Sequence, residues 1–167
     1  MKKLCPLLIL LFLFSCKSKT AVSIPEDATT EKVEIIKLSV SEVSEAKKIK
    51  AYELGKRVLM TCNTSKFKPF NESEATPSVI KNTTLERLTK TCTKFRQFYG
   101  TFKDLNLIEI YKDPATATTI FRFKALYTKK IANKELRVFM NEEEKVSAIK
   151  SMDWMDSLSK MQPSIFN

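Results

Sequence analysis

Apolar and polar residues recur with two different periods along this chain, and the change of period divides it. Between Ser44 and Cys62, the residues Tyr52, Gly55, Val58, Leu59 and Cys62 return at steps of three and four, with lysines on other positions. That spacing predicts an amphipathic helix over residues 44–62. A second helix is predicted over residues 83–99, where Leu85, Leu88, Cys92, Phe95 and Tyr99 follow the same steps. Thr83 with Glu86 makes a capping-box pattern at its start, and Gly100 stands where a left-handed stop belongs. Phe67, Pro69 and Phe70 interrupt the chain between the helices and open a polar loop.

From Thr101 the period shortens to two. Residues 101–112 are rich in Leu, Ile, Phe and Tyr, and Asp113-Pro114 marks a turn. Phe121, Phe123, Ala125 and Tyr127 then alternate with Arg122 and Lys124, the pattern of a strand with one face buried and its charges toward water. A tight turn at Ala132-Asn133-Lys134 leads into Leu136, Val138 and Met140. Asn141 and three glutamates lead into Val146, Ala148 and later Trp154. The expected fold class is α+β: two N-terminal helices packed on a curved four-stranded antiparallel sheet. It occupies residues 44–155, with a tail over 156–167.

The beginning of the chain follows another pattern. Lys2 and Lys3 precede an almost unbroken apolar run over residues 4–14, far short of the roughly 20 residues that a membrane-crossing helix needs. Residues 1–15 read as a secretory signal peptide. Its end, Leu13-Phe14-Ser15-Cys16, resembles the bacterial lipobox. The resemblance implies acylation of the Cys16 thiol, cleavage before it, and a membrane anchor made of several acyl chains. One chain alone holds only marginally. No acidic residue follows in Cys16-Lys17-Ser18-Lys19, which for a two-membrane cell implies the outer membrane, facing the periplasm. Residues 16–43, with Ser, Thr, Lys, Glu and a proline, read as a lipidated flexible tether.

Of the four cysteines, Cys5 leaves with the signal and Cys16 takes lipid. Cys62 and Cys92 remain, both on apolar stripes. In an oxidising compartment they either pair as a disulfide or stay buried as small hydrophobes.

Helices followed by an antiparallel sheet resemble the nuclear-transport-factor-2-like superfamily, in particular the small domains of that kind on bacterial exported proteins. Residues 85–100, ending in Phe98-Tyr99-Gly100, and residues 136–149 carry the resemblance. It implies a cone with a curved sheet, often enclosing an apolar cavity. The superfamily's enzymes place an Asp-His pair inside that cone.

This chain has no histidine, so that pair, the Ser-His-Asp and Cys-His arrangements and the commonest zinc ligand are all excluded. Gly55 and Gly100 are its two glycines, too few for a phosphate-binding loop. Glu142, Glu143 and Glu144 lack calcium-loop spacing and read as a solvated turn. No metal or cofactor is expected. Net charge is +10, but the lysines are scattered without the concentrated basic face that nucleic acid requires. Phe95, Tyr99, Phe121, Phe123, Tyr127 and Trp154 are candidates to line a ligand pocket, although the same spacing also serves plain core. Asp153 and Asp156 flank Trp154 and Met155 and are the candidates for acid–base work. The expected function is a non-catalytic, lipid-anchored envelope domain that binds a small apolar ligand or an envelope protein partner. The alternatives are a histidine-free enzyme using carboxylates in the cone and an accessory subunit of an envelope complex.

Overall fold

The computed structural model describes residues 34–156. The residues read as signal peptide (1–15), Cys16, most of those read as tether and the tail beyond Asp156 lie outside the described residues. In chain order the elements are β1 (Ile36–Leu38), a 3-10 turn (Val40–Glu42), α1 (Glu45–Thr64), α2 (Pro77–Asn82), α3 (Leu85–Tyr99), β2 (Phe102–Asp113), β3 (Thr118–Tyr127), β4 (Lys134–Met140) and β5 (Val146–Asp153).

Ser44 starts α1 by accepting the Lys47 amide proton on its hydroxyl, which satisfies one of the open donors of the first turn. The helix ends at Ser65, which takes the left-handed conformation at φ 55°. Thr84, and not Thr83, caps α3 by accepting the Arg87 amide. Glu86 therefore falls at the second helical position, where its carboxylate meets the positive helix end and Lys90 at 2.9 Å. It does not close a capping box.

The sheet is antiparallel throughout, in the order β1-β2-β3-β4-β5. It has five strands where four were expected. The extra one, Ile36–Leu38, comes from the segment read as tether and pairs Leu38 with Ile110. Val43, also assigned to the tether, is buried in the core. Three residues are too few for a period of two to register, which is why this strand escapes a pattern reading.

The register sets one apolar row across the whole sheet: Leu38, Ile110, Phe121, Val138 and Ile149 stand side by side. Helix α1 lies on this face through Ala51, Leu54, Gly55, Val58 and Leu59. Gly55 makes the approach possible, since a Cβ there would sit 2.8 Å from Leu136 Cδ2 and 3.1 Å from Val138 Cγ2. Each large side chain buried here contributes on the order of 1.5–3 kcal/mol. The loop before α2 is tied down by Arg57, which donates to both oxygens of Glu74 at 2.9 and 2.7 Å. A single parallel bridge between Ala75 and Val146 then joins that loop to β5.

The second face of the sheet departs from the expected pattern. Arg122 was assigned to water, yet it is wholly buried, as is Glu135, and Arg137 nearly so. β3 is buried on both faces along most of its length.

Candidate functional site

Helix α3 lies against α1 and is mostly half-buried or exposed. Cys92 is its one buried residue, and Cys92 is bonded to Cys62 of α1 with a Cα–Cα separation of 4.9 Å. Of the two states left open for these cysteines, the structure holds the disulfide. The bridge grips α3 against α1 but does not fill the angle between them and the sheet. An apolar cleft of about 180 Å³ remains there, lined by Val58, Leu59 and the half-cystine Cys62 of α1, Leu88 and Phe95 of α3, Leu136 of β4 and Ile149 of β5. Thr91 and Ser151 supply its polar edge. No ionisable side chain lines it. An apolar cavity of roughly 150 Å³ is enough to hold a benzene ring, so the cleft suits one aromatic ring or a short alkyl chain.

The six aromatic candidates separate. Phe95 lines the cleft. Tyr99 meets Phe95 at 5.4 Å between ring centroids and Tyr127 at 5.8 Å, and Tyr127 meets Phe102 at 5.6 Å. These rings form a chain of edge-on and tilted contacts at the C-terminal end of α3. The Lys134 ammonium stands 4.9 Å from the Tyr99 ring and 5.5 Å from that of Phe95. Burial pushes the Tyr127 phenol up to about 12, so it stays neutral at any physiological pH. Phe121 and Phe123 are fully buried core and do not line the cleft. Trp154 is on the other side of the sheet, with the Arg122 guanidinium 4.0 Å from its ring centre.

That other side carries the group that pattern reading missed. Arg122 Nη1 donates to Glu109 at 2.6 Å, and its Nε donates to Glu135 at 2.8 Å. Arg137 donates to Glu135, Lys37 donates to Glu109 at 2.8 Å, and Arg122 Nη2 donates to the Met155 carbonyl. Burial pushes the Glu109 carboxyl up, but the hydrogen bonds from Lys37 and Arg122 outweigh it and bring it down to about 2. A carboxylate held ionised in this way is a structural counter-ion and a poor proton donor. The pairing was hidden in the sequence because Glu109, Arg122 and Arg137 become neighbours only through the strand register.

The two acid–base candidates do not reach the cleft. Asp153 is paired with Lys134 at 2.6 Å, and its side chain is 80% exposed. Asp156 accepts the Trp154 indole proton at 3.1 Å. Glu142 and Glu143 make surface pairs with Lys112 and Lys145 at 3.8 and 3.2 Å. Among the described residues no group of three or more His, Cys, Asp or Glu gathers where a metal ion would sit. No helix among them is long and apolar enough to cross a membrane. Comparison with protein-family models, with curated proteins and with solved structures returns no match.

Proposed function

We propose that this chain is a lipid-anchored protein of the cell envelope whose folded domain is a non-catalytic binding module, and that the cleft beneath α3 is its binding site. The observation that carries the reading is the chemistry of that cleft. It is apolar on three sides, uncharged, and sized for a single ring or short alkyl chain. Glu109, Glu135 and Asp153 of the sheet are committed to arginine and lysine partners, which favours binding over acid–base catalysis. The occupant is either a small apolar molecule or one apolar side chain presented by an envelope protein. A cone-type fold is the finer reading of the same arrangement, with α1 and α3 on one sheet face and the cleft at their junction with β4 and β5. Anchoring through acylated Cys16 supplies the location, at the outer membrane and facing the periplasm. The Cys62–Cys92 bridge is consistent with that oxidising compartment.

Thr91 lines the cleft yet is exposed, so Thr91→Trp fills the opening without disturbing the core. Titrating benzene or indole into methyl-labelled protein should give saturable shifts at Leu59, Leu88 and Ile149, and Thr91→Trp should abolish them. Equal shifts in both proteins, or no saturable shift with either probe, would remove the cleft as the site. The anchor is tested separately, because Cys16→Ser should leave the precursor uncut and free of fatty acid.

A further inference from the structure

A second groove, of mixed polarity, borders the same bridge. It measures about 370 Å³ and is lined by Cys62, Cys92, Ser65, Thr89, Thr93 and Arg96. Both half-cystines border this groove, Cys62 half-buried and Cys92 buried, with Arg96 one helical turn from Cys92. Cys62 is the more exposed of the two, and Cys92 the more buried. We propose that the Cys62–Cys92 bridge is a thiol-exchange site that accepts the thiol of another molecule, and that exchange there opens the apolar cleft. The second half rests on reading that cleft as the binding site; the first does not.

The chemistry follows from the geometry. An incoming thiolate attacks the more exposed sulfur, Cys62 Sγ. A bond forms between the two sulfurs, the Cys62–Cys92 bond breaks, and its electron pair leaves on Cys92 Sγ as a thiolate. Arg96 favours both the approach of the anionic nucleophile and the departure of the Cys92 thiolate, since a nearby cation lowers the energy of a thiolate. If the donor is a dithiol, its second thiolate attacks the mixed disulfide. Cys62 then leaves as a thiolate, and the donor carries away the new disulfide, oxidised by two electrons.

The consequence follows from how α3 is held: Leu88 and Phe95 pack on the core and the cleft only half-buried, and Arg87 donates to Asn82 at 2.7 Å. Its one buried residue is the bridged Cys92. Its C-terminal end stays fastened, because the Tyr99 carbonyl accepts the Lys129 amide at 3.1 Å and the Gln97 carbonyl accepts the Lys129 ammonium at 2.6 Å. Breaking the bridge removes the one fully buried tie, leaves residues 85–95 held by half-buried and surface contacts, and so lets them swing about the Tyr99–Gly100 end. That motion uncovers Val58, Leu59, Leu136 and Ile149 on the opposite wall of the cleft.

The test uses the full chain carrying Cys5→Ser and Cys16→Ser, so that the bridge supplies the only cysteines. Glutathione is added under native conditions, with iodoacetamide to trap the released thiol. The expected products are a glutathione adduct on Cys62 and an alkylated Cys92. Arg96→Glu should slow adduct formation by about tenfold, the scale of a charge reversal at several ångströms in partly solvated surroundings, and leave the melting temperature of the oxidised protein unchanged. After dithiothreitol, hydrogen exchange should accelerate across residues 85–95 while β2, β3 and β4 stay protected, and an anilinonaphthalene dye should gain fluorescence. An adduct that forms only where denaturant unfolds the sheet would overturn the exchange site. An adduct without faster exchange at residues 85–95 would overturn the opening, whatever the cleft binds.

Discussion

Gly100 is the residue at which the chain has least freedom to change. It closes α3 at φ +80° and ψ −152°, a conformation that side chains avoid. A Cβ there would lie 2.1 Å from Thr128 Oγ1, the atom that accepts the Thr101 amide proton at 2.9 Å. Gly100→Ala therefore combines backbone strain with the loss of that hydrogen bond. It should cost about 2–4 kcal/mol, read as a lower denaturant midpoint at unchanged slope. The helix stop was legible in the sequence; the contact with Thr128 was not, because nothing local connects residues 100 and 128. Arg122 makes the same point more strongly. Alternation around Phe121 and Phe123 placed it in water, whereas Glu109 and Glu135 enclose it on neighbouring strands. Glu109→Gln removes one of its two carboxylate partners in a largely buried setting and should destabilise the fold by roughly 1–3 kcal/mol.

At the scale of elements, what the sequence conveyed follows from length and period. α1 and α3 each carry an apolar stripe over several turns, and both were placed within two residues of their observed ends. β3 and β4 alternate apolar and charged residues over several pairs, so their existence and pairing order were legible as well. β1 has three residues and two of them are exposed, so only its pairing with residues 110–112 identifies it. The cleft was legible only through Phe95, because the other lining residues come from four separate elements whose meeting point depends on the tertiary fold. The disulfide joins two well-predicted elements and makes the sharpest prediction at this scale. It closes a separation of 30 residues, which by the chain-entropy relation stabilises by about 3–4 kcal/mol. Cys92→Ser should lower the melting temperature by roughly 10–15 °C, and reducing agent should then have no further effect. A reduced wild type that melts with the oxidised protein would show that the bridge adds nothing to the stability of the fold.

For the whole molecule the charge inventory predicts an unusual dependence on pH. With no histidine in the chain, no side chain in the bridged domain has an ordinary titration point between about pH 5 and 8. On the acid side, hydrogen bonds from Arg57 hold Glu74 below the usual carboxylate range. Those from Lys37 and Arg122 bring Glu109, which burial alone would raise, from 4.5 to about 2. A carboxyl whose folded pKa is depressed contributes stability that is complete above its unfolded value and is lost as pH falls toward the folded one. The loss therefore belongs between about pH 4.5 and 2. For Glu109 it should amount to on the order of 2 kcal/mol, once the solvent screening of its exposed partner Lys37 is discounted. On the alkaline side, burial raises Tyr127 from 10.0 to about 12. Its contribution is complete below 10 and disappears as pH rises through 12. Between these limbs the unfolding free energy of the oxidised protein should be flat from about pH 5 to 9.5. Urea titrations across pH 2.5 to 10 measure this directly, and Glu109→Gln should lower the plateau, keep it flat, and shrink the acid limb by its share. A step in stability near pH 6 or 7 would mean that some carboxyl is held protonated in the fold. That group would then be the first place to look for acid–base chemistry, and the binding-only reading would have to give way to it.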